Sequence, residues 1–215
     1  MLSEQLPKKV LEQWPEGGEE MQFRLVFRGH LPSERRASVA VKHQIRRELH
    51  PQLKALWQQH RALKTAFDPN LSHLNNGVSR VEQLANDYSR CGFRFVPLVK
   101  EKDFACSLDI LLLFRQEPFR AFNRGDLDNR VKTLVDGLRM PDQCSEVEGQ
   151  SPQNDENPFF VLMDNDRAIF EFQVTTDVLY LPPEPKEPER DVFATIGVRV
   201  TTSGGNPIAY MCGEF

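Results

Sequence analysis

The sequence predicts an α+β fold: a small, mostly antiparallel sheet with helices on one face, in the order β-α-(α)-β-β-α-β-β. Three observations carry that prediction. Phe23 to Arg28 alternates apolar and polar residues, the period-two signal of a half-buried strand. Val41, Ile45, Leu49, Leu53, Leu56 and Leu63 recur at three- and four-residue steps, the apolar stripe of an amphipathic helix. Lys100 to Asp103 is a linker short enough to turn one strand antiparallel onto the next. At 215 residues the chain suits a single domain, with a little length to spare.

The elements follow in order. Residues 1–20 are polar with two prolines and read as a flexible leader, and residues 21–203 read as the domain proper. The strand at 23–28 ends in the turn Gly29 to Ser33. Pro51 lies inside the helical stripe and removes a backbone donor, which predicts a kink or break near His50. Residues 65–77 are loop-like, and a short helix over 78–88 would bury Val78, Val81, Leu84 and Ala85. Strands are predicted at Phe93 to Val99 and Cys106 to Phe114, forming the hairpin. Val131, Leu134, Val135 and Leu138 give a helix opening near Asp126 to Asp128. An acidic insertion over 141–158 follows, then strands at Ala168 to Val174 and Phe193 to Val200. The Pro-rich linker 181–189 joins them, and residues 204–215 form a tail.

The longest apolar run, Ile110 to Phe114, is far short of a membrane span, and no apolar stretch follows the N-terminal lysines. The expectation is a cytoplasmic protein that engages no membrane. Cys91, Cys106, Cys144 and Cys212 show no CxxC or zinc-like spacing, so they read as free thiols in a reducing compartment. The net charge of −4 hides a partition. Residues 142–157 hold five acids and no base, whereas residues 35–64 hold eight bases against Glu48 alone.

The densest run of chemically capable side chains is Asp126-Leu-Asp-Asn-Arg-Val-Lys132, with Asp136 beyond it. At the helical repeat, Asp128, Lys132 and Asp136 lie within about 80° of one another, with the apolar stripe opposite. An N-cap and an i, i+4 ion pair account for part of this pattern but not for a second carboxylate followed by Asn129. A second acidic knot, Met163-Asp-Asn-Asp-Arg167, precedes the strand at 168. If that strand lies beside the one ending at Phe114, Asp166 approaches Asp126 and Asp128. Converging carboxylates repel unless a cation neutralises them, and an all-oxygen set suits Mg²⁺ or Mn²⁺.

These residues resemble the RusA family of Holliday junction resolvases. That family's pattern is D-x-D-N-x-x-K-x-x-x-D-x-L followed later by an acidic pair before an aliphatic strand. DLDNRVKTLVDGL matches the first part, and Asn165-Asp166 ahead of Arg167-Ala168-Ile169 aligns with the second. The resemblance covers residues 100–175 best. It implies that Asp126, Asp128 and Asp166 bind Mg²⁺ (Mn²⁺ in its place) and that Lys132 is the catalytic lysine. Asn165 replaces the first acid of the pair, so Asp164 and Asp166 both stand as the third ligand. The implied protein is a homodimeric, structure-selective endonuclease that cuts branched DNA in recombination and repair.

Arg47, Lys54 and Arg61 recur at seven-residue steps, either a solvated face or a phosphate track. Arg124, Arg130 and Arg167 flank the carboxylates and are further DNA-binding candidates. Phe93 and Phe95 bear a slight likeness to the aromatic strand of RNA-recognition modules but read better as core. Two other functions fit the same residues: a DNA- or protein-binding module without catalysis, and a metal-dependent phosphohydrolase acting on nucleotides.

Overall fold

The structure, a computed structural model, describes residues 21–32, 37–71, 77–114, 126–180 and 192–202. The predicted leader, Pro-rich linker and tail lie outside the described residues, as do Arg124 and Cys212.

The N-terminal strand β1 (Met21–Gly29) leads to helix α1 (Val39–Gln59), capped by the Ser38 side chain, which accepts a hydrogen bond from the Val41 amide. Helix α1 continues unbroken through Pro51, contrary to the expected break. Ile45 and Leu49 before the proline and Leu53 and Trp57 after it are all buried, so packing on both sides offsets one lost backbone bond. Two short 3₁₀ turns precede helix α2 (Arg80–Asp87), within the predicted 78–88. Strands β2 (Ser89–Arg90), β3 (Phe93–Val99) and β4 (Phe104–Phe114) follow, then helix α3 (Asp126–Leu138). Strand β5 (Phe159–Met163), a 3₁₀ turn over Asp166–Ala168, β6 (Ile169–Val178) and β7 (Val192–Thr202) complete the order.

The α+β class holds, but there are two sheets rather than one. The larger has the order β1-β7-β4-β6, with β7 antiparallel to both β1 and β4 and with β6 parallel to β4. The smaller has the order β2-β3-β5, with β3 and β5 parallel. The predicted hairpin of β3 and β4 is therefore wrong. Both the Asp103 and Phe104 amides donate to the Lys100 carbonyl, and this tight turn hands the chain from one sheet to the other.

One face of the larger sheet is buried through Leu25, Phe27, Leu108, Ile110, Leu112, Ile196 and Val198. Its other face carries exposed Gln22, Arg24, Asp109 and Arg199. Helix α1 packs against β1, β5 and α3, joining the two sheets. Phe93, Phe95 and Phe159 form a second apolar cluster, with ring centroids 5.6–5.9 Å apart. That burial fits the core reading of Phe93 and Phe95.

The free-thiol expectation fails for two cysteines. Cys91 and Cys144 form a disulfide with Cα atoms 5.1 Å apart, which ties the acidic insertion to the turn before β3. Their 53-residue separation leaves no spacing signal to read. Cys106 is free and buried, and burial pushes its thiol up to about 12. Among the described residues no helix is long and apolar enough to cross a membrane.

Candidate catalytic groove

Helix α3 and strand β6 form the two walls of the site. Strand β6 does lie beside β4, as the site hypothesis required. Because the two are parallel, the start of β6 is level with Cys106, near the start of β4. The Met140 amide donates to the Met163 carbonyl at 2.9 Å, bringing the end of α3 to that same level. Asp166, three residues on, exerts an electrostatic pull on Arg139. Asp128 and Asp166 both line the groove beside α3.

Asp128, Lys132, Asp136 and Asp166 line this groove together with Val131, Val135, Ile169 and Phe172, around a volume of about 350 Å³. Asp128, Lys132 and Asp166 are exposed. Val131 and Val135 were expected to face away from the carboxylates, yet they form part of the same wall. They lie three and seven residues after Asp128, about 60° and 20° from it around the helix, and so share its groove side.

Asp164 and Asp166 are placed differently. Asp164 accepts the Glu101 amide at 2.9 Å and gives its own amide to Val99, so it closes the turn into β4. Burial is the main cause that raises its pKa, and Asp164 in turn helps push Tyr88 up to about 12, where burial is again the larger cause. Asp166 is left facing the groove. Asn165 caps the 3₁₀ turn by accepting the Arg167 amide at 3.0 Å, a role its side-chain oxygen fills without a charge.

Asp136 is mostly structural. Its carboxylate meets Lys42 Nζ at 2.6 Å and an Arg139 nitrogen at 3.3 Å. Arg46, fully buried, donates to the Asp136 and Arg139 carbonyls at 2.9 and 2.8 Å, closing the orphan end of α3. Sequence reading did not single out Lys42, Phe172 or Arg46. No periodicity marks a residue whose partner lies on an element about 90 positions away.

The donor set fits a hard divalent ion. The groove offers carboxylates and an amine, with no imidazole or thiolate, and Mg²⁺ commonly uses one or two carboxylates plus substrate phosphates and water. Among the described residues no three His, Cys, Asp or Glu side chains are grouped to hold a metal by themselves. Asp126 opens α3, but its side chain lies outside the described residues.

The basic stripe meets the chain's own acids. Arg47 donates to Glu156 at 2.7 Å, to Gln150 at 3.2 Å and to the Ser151 carbonyl at 2.9 Å. Lys54 donates to the Asp155 carbonyl at 3.1 Å. These two are therefore engaged in holding the insertion rather than laid out as a phosphate track. Arg61 is exposed beyond the helix end. Arg130 donates to the Leu31 carbonyl and stacks over Phe114 at 5.5 Å. Arg167 is 76% exposed, with Glu101 at 3.9 Å.

Comparison with known proteins finds no matching family model, no matching curated protein and no matching solved structure.

Proposed function

We propose that the groove between α3 and β6 is the catalytic site of a divalent-metal-dependent endonuclease acting on branched DNA, as the resemblance to RusA resolvases implies. One observation carries this reading: Asp128 and Lys132, from the helix motif, line one groove with Asp166, from the distant acidic knot. In this reading Asp128 and Asp166, with Asp126, hold Mg²⁺ or Mn²⁺. When bound, such an ion lowers the pKa of a water and stabilises the leaving oxygen of an in-line displacement. Lys132 places its ammonium against the charge that grows on the phosphate oxygens. Lys42 and Arg139 neutralise Asp136, which limits repulsion of an incoming phosphodiester. Arg167, exposed beside Asp166, extends the positive rim. A homodimer presents two such grooves about a dyad, which suits two symmetric nicks in a four-way junction. The proposed setting is DNA recombination and repair.

The test is nicking of a synthetic four-way junction by the full chain in Mg²⁺. The expected result is paired, symmetric nicks, with Asp128→Asn reducing cleavage by about 100-fold or more while still binding the junction. A second reading, a DNA-binding module without catalysis, draws support from the absence of a three-ligand group among the described residues. Binding with no cutting in either Mg²⁺ or Mn²⁺ selects that reading.

A further inference from the structure

We propose that Phe172 is a stacking platform for an unstacked nucleobase, so that the groove takes a nucleotide whose base has left the helix rather than one within paired duplex. The inference rests on the nuclease reading of the groove and adds what selects its substrate. Phe172 stands on the edge strand β6 with 44% of its surface exposed, although its neighbour across the sheet, Leu108, is buried. Its ring borders the same groove as Lys132, Asp128 and Asp166. Half of the lining residues are apolar: Val131, Val135, Ile169 and Phe172. A phosphodiester alone gains nothing from such a wall. A nucleotide does, because it brings a flat apolar face beside an anionic group, matching Phe172 beside Lys132. In paired duplex both faces of each base are covered by neighbours, and exposing one costs a few kcal/mol, less where pairing is already broken. A branch point or single strand offers that face cheaply, and stacking on an aromatic side chain is tolerant of sequence.

The test compares two fluorescein-labelled oligomers of equal length, one of thymidines and one of abasic sites, binding to the full chain in EDTA. The expected result is that wild type prefers the thymidine oligomer. Phe172→Ala should lower that affinity about tenfold without altering binding of the abasic oligomer, and Phe172→Tyr should restore it. Circular dichroism melting confirms that each variant is folded, and Phe172→Leu, which keeps apolar bulk without a ring, should behave like Phe172→Ala. Equal affinity of wild type for both oligomers, or an equal loss on both, overturns the inference. So does a change in sedimentation with unchanged thymidine affinity, which would assign the ring to a second copy of the chain. Junction nicking without base preference removes this inference and leaves the nuclease reading standing. Base-dependent binding without nicking does the reverse.

Discussion

Arg46 and His43, three residues apart on α1, are both buried, and their chemistry sets how the fold responds to mutation and acid. Arg46 ties the last carbonyls of α3 to Glu146 of the insertion, and burial lowers its pKa to about 10. Removing it leaves two carbonyls unmatched and Glu146 held by Arg139 alone, so Arg46→Ala should cost about 2–4 kcal/mol in urea unfolding. Arg46→Lys should recover only part, since an ammonium lacks the planar fork that reaches all three acceptors. His43 packs edge-on to Phe93 at 5.2 Å, and burial, helped by Arg47 and Arg46, lowers its pKa to about 4, with Glu156 opposing. The folded value lies below the unfolded one, so between pH ~6.5 and ~4 the unfolded chain binds a proton that the folded chain does not. Stability should therefore fall by about 2 kcal/mol on going to pH 5, and His43→Phe should flatten that part of the profile. The same slope in His43→Phe would contradict this. His50 adds in the same direction, because its Nδ1 accepts the Phe160 amide at 2.9 Å and its pKa is lowered by burial. None of these buried roles was legible in the sequence, where Arg46 belongs to a basic helix and His43 matches no ligand spacing.

Among the elements, α3 was the most legible. Its apolar spacing and its acids predicted Asp126–Leu138 as a helix. The spacing did not show why Gly137 belongs in it. A Cβ there would stand 2.6 Å from Ile45 Cβ, so the glycine sets how closely α1 and α3 approach. Gly137→Ala gains about 1 kcal/mol of helix propensity but incurs overpacking of about 1–3 kcal/mol. A net loss of stability is expected, and Ile45→Ala should relieve the overpacking in a double-mutant cycle. Simple additivity would argue against the contact. Strands with one exposed face were read well, β1 and β4 above all, because alternation marks them. Strand β5 was missed for the opposite reason. All five of its residues are buried, and a strand covered on both faces shows a continuous apolar run without period two. Without β5 there was no parallel partner for β3, and a short linker then suggested a hairpin.

At the scale of the molecule, the acidic insertion is the part whose role composition concealed. It reads as a solvated loop, yet Glu146 pairs with Arg46 and Arg139, and Glu156 pairs with Arg47. Arg46 and Arg47 of the basic segment are thus matched by Glu146 and Glu156 of the acidic one within the fold. Asp128, Lys132 and Asp166, exposed along the groove, take no part in those pairs. That these residues share a groove was foreseeable only in outline: the motif named them, but which of Asp164 and Asp166 lines it depended on the turn into β6. The most direct test of the central claim is Mn²⁺ binding to the full chain, followed by electron paramagnetic resonance. Wild type is expected to bind, Asp128→Asn and Asp166→Asn each to weaken binding at least about tenfold, and Asp164→Asn to leave it intact. Binding unaffected by Asp128→Asn and Asp166→Asn, or abolished by Asp164→Asn alone, would contradict the claim.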